Sequence, residues 1–404
     1  MSMQTIRTTI RVLAALVAIS ALHACSDDAQ PVAASTAAIV GGAPLDNPAI
    51  VRLVGQGLCT GALVAPNIVL TAKHCVVTFK GGGPFECDEH GELVVDPDAP
   101  VQYVGAGEFD QVVSADSIFL GTESPYAPRG LNIVVSEGDT ICRSDAALIV
   151  FDRPVDDPML VPLRLDAPVE EHEPLVAVGF GQHEGGDTSV DLLARDVTVV
   201  DVGPKAKVPG VADAVRPGFF TTTQGVCRGD SGSPALSSTG AAVGIASSVS
   251  RYDLGELTGT AEDCVGELTR AAYQTVGTQT EVIEATFAEA GALVWREGEP
   301  DPRAGLADFE EPCERDADCR SNACVVHEDG VARCSHGCLL SACPEGYGCE
   351  LVDDRKRCVQ AEVEPPAPPT TSDDGGCSLG GVPAPRDRMV FIVMLGALLV
   401  ARRK

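Results

Sequence analysis

Aromatic side chains are scarce in this sequence. Its 404 residues include one Trp, five Tyr and eleven Phe, 4% in all. A core has to rest instead on Val, Ala, Leu and Ile, within a hydrophobic fraction of 45%. Positive charge is scarce too: 29 Lys and Arg stand against 58 Asp and Glu, a formal net charge of −29. A surface this acidic repels phosphate backbones, which excludes nucleic acid as a partner class and fits a well-solvated exported protein. Residues 12–22 and 389–401 are apolar, but both runs fall short of the roughly 20 residues of a membrane-spanning helix. Helical spacing is rare. It is convincing only over 273–290, where Val276, Ile283 and Phe287 sit among good helix formers.

Glycine and proline are plentiful, at 42 and 28 residues, and punctuate the chain with turns. Between about 39 and 295, short stretches rich in Val and Ile alternate with Gly, Pro and Asp clusters. Residues 50–54, 68–72, 148–151, 175–179, 197–202 and 242–247 are strand-length. An all-β barrel or sandwich closed by one C-terminal helix is the expected fold. The length suffices for one large domain with appendages.

Sixteen cysteines point to an oxidising compartment. Six are central: Cys59, Cys75, Cys87, Cys142, Cys227 and Cys264. Eight crowd into 313–358, and Cys25 and Cys377 stand alone near the ends. Residues 1–24 have a basic start (Arg7, Arg11) and the apolar run of an export signal. They end Leu22-His23-Ala24-Cys25, which resembles a bacterial lipobox apart from His23. Lipidation of Cys25 and plain cleavage after Ala24 both remain open. Residues 359–376 are a Pro, Thr, Asp and Gly-rich tether. Residues 377–404 hold Cys377, the second apolar run and Arg402-Arg403-Lys404. They resemble the MYXO-CTERM sorting signal of myxobacteria, with a plain membrane anchor as the alternative. The expected location is the cell surface, the outer membrane or the medium. Membrane contact is expected only through these two ends before processing.

Four short motifs carry the chemistry: Ile39-Val40-Gly41-Gly42, Thr71-Ala72-Lys73-His74-Cys75, Ser144-Asp145-Ala146-Ala147-Leu148 and Gly229-Asp230-Ser231-Gly232-Ser233-Pro234. A serine hydroxyl needs a base to take its proton during attack. A histidine can do this and return the proton to the leaving amine, provided a carboxylate fixes its tautomer and orientation. In this order and at these spacings the motifs resemble the chymotrypsin/trypsin family of serine proteases, over residues 39 to about 292. The implied fold is the two-barrel chymotrypsin-like one, all-β, with a C-terminal helix and here a small disulfide-rich module besides.

The resemblance implies His74, Asp145 and Ser231 as the catalytic triad. Asp139 and Asp152 lie nearby, but neither begins an apolar strand. It implies the backbone amides of Gly229 and Ser231 as the oxyanion donors. Ser233 replaces a family glycine. The family's pairings imply disulfides Cys59–Cys75 and Cys227–Cys264, which leaves Cys87 with Cys142. The family is also made as a zymogen. Cleavage before Ile39 would free an amine to pair with Asp230, making 25–38 a propeptide and 39–295 the protease domain. The substrate pocket would be formed by Gly225, Val226, Ser247 and Val249. With no charge at Gly225, and Val249 in place of a wall glycine, it is expected to prefer small apolar P1 residues. No cofactor or metal is implied, and the expected partners are protein or peptide substrates.

A linker, 296–312, leads to the cysteine-rich module at 313–358. So short a stretch buries little core and has to be held by disulfides. A zinc site is the rival reading, weakened by the lack of paired Cys-x-x-Cys knuckles. The module resembles small cysteine-rich repeats of secreted myxobacterial proteins and is expected to serve as a spacer or binding element. A catalytically silent binding protein with a protease-like fold is the alternative to an active endopeptidase. The complete set of motifs argues against it.

Overall fold

A computed structural model describes residue 39 and residues 41–360, apart from 56, 84, 95–97, 99–103, 121–126, 157, 183–190, 210–212, 252–260, 328 and 339–342. The expected signal, propeptide, C-terminal tether and sorting segment, with Cys25 and Cys377, lie outside the described residues.

Two antiparallel sheets dominate. The first contains β1 (Ile50–Val54), β2 (Leu58–Ala65), β3 (Ile68–Thr71), β4 (Phe119–Leu120), β5 (Gly130–Val135) and β6 (Ala147–Phe151), in the order β4-β1-β2-β3-β6-β5. It is curled and open. The second contains β7 (Pro174–Gly179), β8 (Leu193–Val202), β9 (Phe219–Thr222), β10 (Pro234–Leu236), β11 (Ala242–Arg251) and β12 (Thr269–Thr275). Its order is β8-β7-β10-β11-β12-β9, and β9 pairs back onto β8, which closes a six-stranded barrel. Residues Ala43–Pro44 add an edge bridge to β8. The architecture is the expected all-β, chymotrypsin-like two-barrel fold.

The strands β3 and β6 read as continuous apolar runs because both of their faces are buried. In β6, Ala147, Ile149 and Phe151 point into the first barrel with Val51, Leu53, Leu63 and Val69. The alternate residue Leu148 points into a seam between the barrels, with Ile50, Ile68, Leu70, Val178, Phe180, Leu236 and Ile245. Strand alternation thus serves two cores at once. A third cluster, including Ile39, Val197, Phe220, Val243 and Tyr273, fills the closed barrel.

The helical expectation over 273–290 needs a correction. Residues 273–275 finish β12, Val276–Gln279 form a 3₁₀ turn, and the helix α1 runs from Thr280 to Glu289. Phe220 stacks on Tyr273, which ties that residue to the barrel. Ile283 and Phe287, one turn apart, dock α1 into the seam.

Residues 296–303 bond to the barrel side of the chain, while 307–312 pair with the cysteine-rich module. The backbone of Leu163 donates to Trp295 O at 2.8 Å and that of Glu297 donates to Leu163 O at 2.9 Å. The Glu297 carboxylate accepts bonds from Arg164, Ser237 and Thr239. Arg164 and its hydroxyl partners hold that carboxyl down at about 2. The cysteine-rich module has two hairpins, Cys324–Val326 with Ala332–Cys334 and Tyr347–Val352 with Arg355–Gln360. Disulfides Cys313–Cys324 and Cys319–Cys334 hold the first, and Cys338–Cys349 and Cys343–Cys358 the second. The sequence separations are 11 and 15 in both, so the module is an internal repeat. It is fastened to the first barrel through Asp156, 5% exposed, whose carboxylate meets Arg355 and the fully buried Arg357.

Candidate active site

His74 lies in a short 3₁₀ turn, Lys73–Cys75, directly after β3. Asp145 lies just before β6, the neighbour of β3 in the sheet. Because Thr71 pairs with Ala147, the two strand ends bring His74 and Asp145 together. The carboxylate grips the histidine at two points. Oδ1 accepts the His74 backbone N–H at 2.9 Å, and Oδ2 lies 2.9 Å from Nδ1. Asp145 is 0% exposed. Oδ2 also accepts the Ser247 hydroxyl at 2.6 Å, and the Asp145 backbone N–H donates to Gln274 Oε1 at 3.1 Å. Burial works against a charged imidazole at His74. The Asp145 charge and its hydrogen bond outweigh it, so the His74 pKa is raised, while Arg216 pulls it back down.

Lys73 is buried beside His74. Its ammonium donates to Ser136 O at 3.0 Å and to Gly138 O, on the loop leading to Asp145. Burial lowers its pKa, with Asp145 and Asp139 opposing. The Ser144 hydroxyl donates to Ser136 Oγ at 2.6 Å, so the same loop is tied twice.

Ser231 comes from the closed barrel, on a turn between β9 and β10. Its carbonyl accepts the N–H of Thr60 at 2.9 Å and lies 3.6 Å from Cys75 Sγ, which places it against the histidine-bearing turn. The neighbouring glycines shape this approach. Gly232 has φ 83°, and a Cβ there would lie 2.1 Å from Thr71 Oγ1. Gly229 has φ 95°, and a Cβ there would meet Gly181 Cα at 3.0 Å. Positive φ and close approach both demand glycine. Among the described residues, the backbone N–H groups of Gly229 and Ser231 have no acceptor. They are the two donors expected for an oxyanion.

Asp230 is fully buried. It accepts Gly181 N–H at 2.7 Å and Cys227 N–H at 2.8 Å. Gly179 and Gly181 make room for it, since a Cβ at either would overlap its carboxyl group. Burial pushes its pKa up to about 8, against the pull of the two N–H donors. Ile39 is also fully buried, among Leu175, Val197 and Val226. Ser233 is buried, with no partner for its hydroxyl among the described residues.

A cavity of about 170 Å³ opens beside Ser231. Val226, Ser247 and Val249 line it, as does the Cys227–Cys264 bridge. Gly225 does not. A Cβ there would meet Val197 and Ala177 in the barrel wall, so Gly225 is a packing position rather than the pocket residue expected. The lining also includes Arg228 and the buried Asp263, so the pocket is not uncharged as expected. Asp263 adjoins Cys264, and its place beside a pocket-closing cysteine was the available signal. The other bridges are Cys59–Cys75, beside His74, and Cys87–Cys142.

Residues 59–245, a little under half of the chain, match the family model described as the Trypsin-like peptidase domain. The match spans His74, Asp145 and Ser231 and supports a trypsin-like serine protease function in general terms. Such a domain acts on protein or peptide substrates. No curated protein matches the chain.

Proposed function

We propose that the chain is a secreted or cell-surface serine endopeptidase, made as a zymogen, that works through an acyl-enzyme. The observation that carries this reading is the two-point grip of Asp145 on His74, beside a Ser231 turn with two free N–H donors. Ser231 Oγ attacks the scissile carbonyl while His74 Nε2 takes its proton. Asp145 holds Nδ1–H and stabilises the imidazolium. The N–H groups of Gly229 and Ser231 receive the oxyanion, where each donor contributes about 3 kcal/mol. His74 then protonates the leaving amine, and water releases the acyl group.

The buried Asp230 supports activation by cleavage. Among the described residues, its carboxylate has two hydrogen-bond partners, both neutral N–H groups. A free amine at Ile39 would supply the missing cation. The junction Ala38–Ile39 lacks a basic residue, and Val226 and Val249 narrow the pocket. Small apolar P1 residues and self-activation belong to the same reading. Profiling with peptide libraries should show cleavage after Ala or Val. Cleavage after Arg or Lys instead would move specificity to Asp263.

A fluorophosphonate probe tests the central claim. Material beginning at Ile39 should be labelled at Ser231, and Ser231→Ala should abolish labelling. Absence of labelling in the unaltered mature chain would favour a silent binding protein.

A further inference from the structure

Arg216 is 5% exposed, and its guanidinium is held on three sides. Nη2 donates to Ser247 Oγ at 3.0 Å and Nη1 to Cys87 Sγ at 3.0 Å, while the guanidinium carbon lies 3.7 Å from the centre of the Phe219 ring. Ser247 Oγ passes the contact on, donating to Asp145 Oδ2 at 2.6 Å. That oxygen is the one facing His74 Nδ1. A hydroxyl has one proton to give. Because Ser247 accepts from Arg216, its proton is committed to Asp145. A buried guanidinium is otherwise costly, since taking a charge out of water has to be matched by good partners.

We infer that Arg216 is a positioning residue of the catalytic site. Acting through Ser247, it fixes the Asp145 carboxylate against His74 Nδ1 and so sets the pH range over which that histidine transfers protons. This rests on reading His74, Asp145 and Ser231 as the triad.

The charges around His74 come from several elements. Asp145, ahead of β6, raises its basicity, and Arg216, ahead of β9, lowers it. Lys73, next to it in the turn, directs its amine onto the Ser136 and Gly138 carbonyls and interacts with Asp145 and Asp139. Burial brings Arg216 itself down to about 10, with Asp145 pulling the other way, so it stays charged throughout the working range.

The test is a histidine NMR titration of the full chain carrying Ser231→Ala, with Arg216 intact or changed to Met, Gln or Lys. Arg216→Met and Arg216→Gln should move the His74 midpoint upward, and Arg216→Lys should restore most of the shift. With Ser231 present, in material cleaved to begin at Ile39, the ratio of fluorophosphonate labelling at pH 6 to that at pH 8.5 should fall about threefold in the neutral variants. Arg216→Gln keeps an N–H donor for Ser247 and serves if Arg216→Met does not fold. An unchanged midpoint in either folded neutral variant overturns the inference. A shifted midpoint in a chain that never labels even when it begins at Ile39 would sustain the coupling and remove the peptidase reading instead.

Discussion

The two barrels share an architecture but contribute to the site in different ways. The first supplies His74 and Asp145 from the ends of adjacent strands, where the register of β3 and β6 sets their separation. The second supplies Ser231, the free amides and the pocket from turns, held by glycines with positive φ and by the buried Asp230. Strand ends are fixed once the sheet forms, whereas turns can be reshaped. On the proposed reading, the base and its carboxylate are therefore built in by folding, and the nucleophile's surroundings are where control can enter.

The sharpest contrast lies in activity. Ser231→Ala should cost about 10⁴-fold or more in kcat/KM, and so should Asp145→Asn, which leaves the wrong His74 tautomer. Steady-state hydrolysis by the mature chain measures both. A loss of only tenfold for Asp145→Asn would mean that the first barrel's strand ends do not set the histidine.

Asp230 separates the barrels by pH. Its folded pKa, about 8, lies above the ordinary carboxyl value, so the folded intact chain binds a proton that the unfolded chain releases. That stabilisation is present below about pH 4 and is lost as pH rises toward 8. Denaturant titration of the intact Ser231→Ala chain should show a loss of about 5 kcal/mol across this window. Asp230→Asn should flatten the dependence. Equal slopes in the intact and the cleaved chain would remove the case for an amine partner.

The module offers a third point of comparison, since its own hairpins bury little and rely on disulfides. Asp156→Ala leaves Arg355 and Arg357 without their partner on the first barrel. It should cost about 3 kcal/mol of docking, read as faster proteolysis or exchange in 313–358, with little change in kcat. The smallest effect is expected at Ser233. Ser233→Ala removes a buried hydroxyl that has no partner and should stabilise the mature chain by about 1 kcal/mol in thermal or denaturant unfolding.

Much of this was legible along the chain. The strand stretches near 50, 68, 148, 175, 197 and 242 appear as strands because β-branched runs bounded by turn residues have few other ways to bury themselves. His74, Asp145 and Ser231 stand out through their motifs. The boundary of α1 was not legible, because Tyr273 keeps helical spacing with Val276 and still satisfies a strand register with Phe220. The repeat in the module was present in the cysteine spacing and became evident through the pairing. Gly225 and Asp263 exchanged places as pocket residues, since a count along the chain gives position but not the direction a residue faces.

The sequence alone determined the barrel-type fold, the order of the chemical groups and the disulfide-rich character, because these depend on local pattern and composition. Only the tertiary structure decided that the buried Lys73 and Arg216 flank Asp145, that Asp156 fastens the module, and that Asp263 lines the pocket. Those contacts join residues dozens to hundreds of positions apart. Their energies arise from burial and mutual approach, which no local pattern encodes.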